Sequence, residues 1–146
     1  MCIRDREFIF PLKSRYLKYL RKIEKGYHVF GISINNEILG DVCGIIKNGS
    51  DPFPKHPDLK LLNLKVGDSE AYMFDMHISP DIRGGGLVNY FLGEALTCLK
   101  NKGITKVYGY YFSDHLQGLW MHKTMGYTEK YRKNMQRFIM IRRIVG

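Results

Sequence analysis

Apolar positions recur along this chain with two different periods. Leu12, Tyr16, Tyr19, Leu20 and Ile23 follow the three-and-four spacing of one helix face, with Pro11 suited to a first turn and Gly26 to a stop. The spacing predicts a helix over about 11–25, with Arg21, Lys22 and Lys25 near the end where the helix dipole favours cations. Strands are predicted over 27–34 and 37–46, joined by Asn35-Asn36, a pair that tolerates the positive φ of a tight hairpin. The proline-bearing stretch from 47 to 70 reads as a long irregular loop, either functional or a surface excursion.

Ala71 to Ile78 reads as the next strand, ended by Ser79-Pro80-Asp81. After Arg83-Gly84-Gly85-Gly86, a stripe of Val88, Phe91, Leu92, Ala95, Leu96 and Leu99 predicts a helix closed by Gly103. Thr105 to Phe112, rich in β-branched and aromatic residues, predicts another strand. Strand, turn, helix and strand make a βαβ unit, so these two strands are expected to be parallel with a right-handed crossover. A short helix over 115–124 and strands over 127–133 and 136–144 complete an α+β domain with a mixed sheet.

Composition narrows the class. The 146 residues are one domain's worth of chain, and 45% hydrophobic content is enough to bury a core. No apolar run nears the roughly 18 residues of a membrane span, and residues 1–7 hold no apolar leader segment. Cys2, Cys43 and Cys98 show no C-x-x-C spacing, which argues against a disulfide framework or a cysteine-rich zinc site and for a reducing, cytoplasmic setting. His28 and His56 lack metal-ligand spacing with acidic partners, and no metal is expected. Charge is uneven: residues 81–146 hold 11 Lys and Arg against 4 Asp and Glu, whereas residues 1–80 hold 12 against 10. An anionic partner is therefore expected at the C-terminal half.

Three consecutive glycines at the start of a helix need a backbone reason. Without Cβ atoms, successive N–H groups can converge on an anion at the helix N-terminus, and Arg83 adds a fixed charge there. A tight turn without a ligand is the alternative. No Gly-Lys-Ser/Thr follows, so this is not the nucleotide triphosphate loop, and Asn89 stands where a dinucleotide motif needs its third glycine.

Ile78-Ser79-Pro80-Asp81-Ile82-Arg83-Gly84-Gly85-Gly86-Leu87 resembles the V-x-P-x-x-R-G-x-G-I signature of the GNAT superfamily of acetyl-CoA-dependent N-acetyltransferases. Asn36-Glu37-Ile38-Leu39-Gly40 is similar to that family's "dGeivG" hairpin, and Leu119 to Tyr127 is similar to its "LYEKLGF" segment. The three matches fall in family order and span about residues 11–144. The resemblance implies a single domain over 1–146 with a mostly antiparallel sheet, one parallel and splayed strand pair, and flanking helices. It also implies a strand and helix ahead of the one at 11–25. Only Phe8-Ile9-Phe10 stands there, and Met1 to Arg6 reads like translated adapter sequence, so residues 1–10 are taken as an incomplete or artefactual N-terminus.

The same resemblance implies acetyl transfer from acetyl-CoA to a primary amine of a small molecule or peptide. Backbone amides of Arg83, Gly84, Gly85, Gly86, Leu87 and Val88 would bind the CoA pyrophosphate. Met76 and Ile78 would offer backbone groups to the pantetheine arm and the acetyl carbonyl, and His115 stands where the family often has an Asn near that arm. Val88 replaces a small residue of the family's motif. Asp75-Met76-His77-Ile78 looks like the "DLYV" run of branches that act on small amines, in which the Asp contacts the acceptor. Strand alternation places His77 on the same face, so the pair is expected to bind and deprotonate the amine; an ion pair between Asp75 and a nearby Lys is the other reading. His122 occupies the position of the family's tyrosine general acid, and an imidazole can also protonate a leaving thiolate.

Acetyl-CoA and an amine acceptor are thus the expected partners, with no nucleic acid and no membrane, and with a homodimer compatible. A GNAT-fold module that binds acyl-CoA without turnover is the alternative, motivated by Val88, His115 and His122. A basic nucleic-acid binder using Tyr110, Tyr111, Arg132, Lys133 and Arg137 is a third reading, less simple than a solvated charged face.

Overall fold

A computed structural model describes residues 9–47, 53–84, 86–138 and 141–145. Helix α1 spans Lys13–Glu24, followed by strands β1 (His28–Ile34) and β2 (Glu37–Ile46). A short helix α2 (Pro57–Leu61) precedes β3 (Glu70–Ile78), and a 3-10 turn leads into α3 (Leu87–Asn101). Strand β4 (Lys106–Tyr108), α4 (Leu116–Thr124) and the strands β5 (Asn134–Phe138) and β6 (Ile141–Val145) complete the order. The sheet runs β1-β2-β3-β4, antiparallel except for the parallel pair β3–β4, while β5 and β6 form an antiparallel hairpin of their own. The expected mixed α+β sheet with one parallel pair is what forms. The reading of residues 1–10 falls mostly outside the described residues.

Alternation along the strands builds a core on each sheet face. Phe30, Val42, Ala71, Met73 and Ile78 pack against Phe91, Leu92, Ala95 and Leu99 of α3, so the apolar stripe predicted for that helix is its buried face. Val29, Ile38 and Cys43 point the other way and meet Tyr19 and Ile23 of α1. Tyr27, Ile45, Leu64 and Tyr72 extend this second layer under the segment that carries α2. Burial of each large apolar side chain contributes about 1.5–3 kcal/mol. Asn35 and Asn36 take φ of 50° and 66°, the left-handed geometry of the predicted hairpin turn. At Gly40 a Cβ would sit 2.7 Å from Ile78 Cδ1 and 2.8 Å from Ile32 Cγ2, which is why the hairpin motif ends in glycine.

Four sequence expectations change. Leu12, Tyr16 and Leu20 are exposed, and the residues that α1 buries are Arg15 and Lys22, because two carboxylates on the sheet face them. The 47–70 stretch contains α2, capped by His56, whose Nδ1 accepts the Asp58 N–H at 3.2 Å, and Leu59, Leu62 and Leu64 pack onto the aromatic layer. The strand expected over 105–112 pairs only through 106–108. Strands expected over 127–133 and 136–144 instead cover 134–138 and 141–145, and the polar run before them is tied by a local Arg132–Glu129 ion pair and by a Tyr131 hydroxyl that donates to the distant Leu62 carbonyl.

Candidate active site

Strands β3 and β4 are paired only at Glu70–Lys106, Ala71–Val107 and Tyr72–Tyr108. Just beyond, β3 carries an extra residue: three of its steps, from Phe74 to His77, match two steps of β2, from Cys43 to Asp41. Such a bulge bends its strand. Asp75 sits in it with φ of 50°, a left-handed conformation that aspartate tolerates better than most residues. The two parallel strands therefore part, and a cavity of about 1150 Å³ lies in the gap, bordered by Phe74 to Ile78 on one side and Tyr110 to Phe112 on the other. The bulge also breaks the simple alternation expected between Asp75 and His77. Phe74 and His77 share a face, because their partners Cys43 and Asp41 do.

One end of the cavity reaches the start of α3, where Arg83, Gly84, Val88 and Asn89 line it. Gly84 and Gly86 take φ of 113° and 78°, so the turn needs residues without a Cβ there. Two of the amides expected to face an anion are engaged by the turn itself: Arg83 N–H donates to the Pro80 carbonyl at 3.2 Å and Leu87 N–H to the Gly84 carbonyl at 3.1 Å. The Arg83 guanidinium donates from Nε to the Ile78 carbonyl at 3.1 Å, which ties the turn to the end of β3 and occupies one of the two Ile78 backbone groups. Val88 packs against the α3-side core while still bordering the cavity, so its branched side chain is accommodated. Gly85 lies outside the described residues.

Asp75 is the exposed outer member of an ionic network whose other members, Arg15, Lys22 and Asp41, are buried. Arg15 donates to Asp41 through Nε at 3.0 Å and through a second nitrogen, and to Asp75 Oδ1 at 3.3 Å; Lys22 Nζ bonds Asp75 Oδ2. The side chains of Arg15 and Asp41 are only 10% and 7% exposed. Burial alone would push the Asp75 carboxyl up, but Lys22, then Arg15 and Lys18, hold it below its ordinary value. Its contacts run to α1, not to His77, so the ion-pair reading of Asp75 describes its geometry here. Burial, with Arg15 and Arg83 nearby, lowers the His77 pKa, so that imidazole is neutral near pH 7. Since the folded Asp75 pKa lies below its unfolded value, its stabilisation is complete above about pH 4 and is lost as acid titrates it through the folded value. In urea melts between pH 5 and pH 2.5, the midpoint of the wild-type chain is expected to fall more steeply than that of Asp75→Asn; parallel curves would refute this.

His122 lines the cavity from α4, its Nδ1 2.6 Å from the Gly118 carbonyl oxygen. That oxygen only accepts, so Nδ1 carries a proton and Nε2 is the ring nitrogen left to exchange one with a ligand. Nε2 faces Gly109, where a Cβ would come within 3.4 Å of it. Tyr111 and Tyr127 pack on the ring at 4.9 and 5.0 Å. Burial pushes the Tyr127 hydroxyl up to about 12, which keeps it protonated behind His122. His115 borders the cavity at the N-cap of α4, and its ring lies over Gly118 so closely that a Cβ there would be 2.8 Å from Nδ1.

Sequence reading missed the opposite rim. Lys18, Arg21 and Lys22 of α1 and Lys25 at its C-cap all line the cavity, next to an aromatic wall of Tyr27, His56 and Phe74. The signal was present: these cations are spaced by 3, 1 and 3, the periodicity of one helix face. Arg21, Lys22 and Lys25 read only as partners of the helix dipole, and Lys18 stood unremarked beside an apolar stripe of which Leu12, Tyr16 and Leu20 face solvent. Among the described residues no group of His, Cys, Asp or Glu is arranged to hold a metal ion, and no helix is long and apolar enough to cross a membrane.

No family model matches the sequence, and no curated protein matches it at the level of sequence. Solved structures do match in shape. Aminoglycoside N-acetyltransferase AAC(6')-Iy in complex with CoA is 15% identical with a TM-score of 0.55, over 87% of this chain and 96% of that one. An aminoglycoside acetyltransferase from an uncultured soil metagenomic sample is 13% identical with a TM-score of 0.58, over 94% and 80%. Ribosomal-protein-alanine N-acetyltransferase from Brucella melitensis biovar Abortus 2308 is 10% identical with a TM-score of 0.58, over 87% and 81%. With its parted parallel strands and glycine-opened helix, the chain has the fold of the GNAT N-acetyltransferases.

Proposed function

We propose that this chain transfers the acetyl group of acetyl-CoA to a primary amine by direct attack. The reading is carried by one observation: β3 and β4 part into a deep cavity that runs to the glycine-opened start of α3. The free amides of the first turn of α3, with its dipole, suit a diphosphate, and Gly84 and Gly86 keep side chains out of its way. The unpaired edge of β3 at Met76 and Ile78 suits an extended amide-bearing arm, with the Met76 backbone and the remaining Ile78 group as its partners. The structural relatives solved with CoA support the same donor. The same reading places the protein in the cytoplasm.

Chemistry then requires a neutral amine and a protonated leaving group. Presenting an alkyl amine of pKa about 10.4 in its neutral form costs about 4.6 kcal/mol at pH 7. Neutral His77 is the group that takes the proton, directly or through water, while Asp75 fixes α1 against the bulge and presents its remaining lone pairs to the acceptor. The amine nitrogen bonds the acetyl carbon, the carbon–sulfur bond breaks, and a proton carried on His122 Nε2 passes to the departing thiolate. Acyl-CoA binding without turnover is the second reading, favoured by the engagement of Asp75 with Arg15 and Lys22.

A thiol-release assay with acetyl-CoA over an amine panel separates the two. Amine-dependent release supports transfer; tight acetyl-CoA binding with no release anywhere supports binding alone. Gly86→Val, which forces a β-branched residue into a left-handed conformation beside the first turn of α3, is expected to raise the acetyl-CoA KM more than about tenfold. An unchanged KM would remove the phosphate from this turn.

A further inference from the structure

The cavity's charge is lopsided in a way that bears on the acceptor. Four cations of α1 and its C-cap, Lys18, Arg21, Lys22 and Lys25, line its rim, and the only described carboxylates among the lining residues are Asp58 and Asp75. Both are engaged. Asp75 is held by Arg15 and Lys22, and Asp58 accepts the Tyr72 hydroxyl at 3.1 Å and faces His56. Lys18, Arg21 and Lys25 are exposed at the rim, and although Lys18 adds to the field that holds Asp75, none of the three is in a salt bridge among the described residues, so their charge faces whatever enters. One imidazole on this wall registers the field: the His56 pKa is depressed by burial first and then by Lys25 and Lys22, against the opposing pull of Asp58.

Resting on the acetyl-transfer reading above, we infer that the acceptor is a small amine carrying its own carboxylate or phosphate, which the α1 cations bind while its amino group faces the bulge of β3. The cationic rim repels polycations and pulls an anion-bearing amine in by its acid group. It also favours the neutral form of the attacking amine, because a positive surrounding disfavours the ammonium ion. That effect supplies part of what a strong general base would otherwise provide.

The test uses the whole chain. Thiol release is followed with L-glutamate, O-phosphoethanolamine, butylamine, spermidine and kanamycin, and binding of glutarate, which has the anions and no amine, is measured by calorimetry in parallel. The expected result is a KM at least about tenfold lower for glutamate or phosphoethanolamine than for butylamine, and the choice between those two identifies the acid group. Lys18→Glu/Arg21→Glu is expected to abolish that preference and glutarate binding while leaving acetyl-CoA binding unchanged. Faster turnover of spermidine or kanamycin overturns the inference and leaves acetyl transfer standing. Loss of acetyl-CoA binding in the double variant also overturns it, by assigning these cations to the CoA phosphates. If no amine releases thiol but glutarate binds and the variant loses it, the transfer reading falls and the anion site on α1 stands.

Discussion

Asp41→Asn is expected to lower the stability of the fold by about 3 kcal/mol, read as a reduced urea midpoint at unchanged slope. Asp41 lies within the sheet on β2, 5% exposed, and takes two bonds from an Arg15 that is itself buried. Removing one member of a buried pair leaves the other charge uncompensated in a low-dielectric setting, which is the costly case. Asparagine keeps one acceptor and loses the charge, and Asp75 still reaches Arg15 at 3.3 Å, so the loss belongs at the lower end of the usual range. A typical domain has only about 5–15 kcal/mol to lose. Combining the change with Arg15→Met is expected to recover part of the stability, because both charges then leave the interior together. A loss below about 1 kcal/mol for Asp41→Asn would mean that water reaches the pair.

His122→Phe is expected to lower kcat about 100-fold with an acetyl-CoA KM within about threefold of wild type. The ring holds its place through Nδ1 and the Gly118 carbonyl, packed between Tyr111 and Tyr127, and Nε2 faces the opening beside Gly109. Phenylalanine keeps the packing and removes the proton donor, so a change confined to kcat reports chemistry and not shape. His122→Tyr is expected to retain more activity than His122→Phe, since a hydroxyl can also serve a leaving thiolate. Equal rates for the Phe variant and wild type would move the acid elsewhere, with Tyr111 the next group on the cavity wall.

Much of the fold was legible in local pattern. The βαβ unit, the Asn35-Asn36 hairpin and the buried face of α3 all follow from periodicity and from backbone preferences that act within a few residues. The glycine turn was legible for the same reason, since positive φ is a local demand. The geometry of Asp75 was not: a bulge depends on how β3 registers against β2, a strand thirty residues away in sequence. The hairpin at the end of the chain shifted by several residues, and the polar run before it finds partners that no periodicity encodes.

Charge makes the division sharpest. Counting along the chain assigned the basic excess to residues 81–146, yet of the Lys and Arg that line the cavity only Arg83 stands there, and Lys18, Arg21, Lys22 and Lys25 stand in the other half. By itself the sequence determined the elements, the parallel pair and the side-chain-free turn, because each is dictated by short-range sterics and by the repeat of apolar residues. Only the tertiary structure decided which face of α1 turns inward, which carboxylates neutralise it and which cations are left at the rim of the cavity. Those outcomes rest on the energy of burying a charge, and that energy is set by what packs across from it in space, not by its neighbours in the chain.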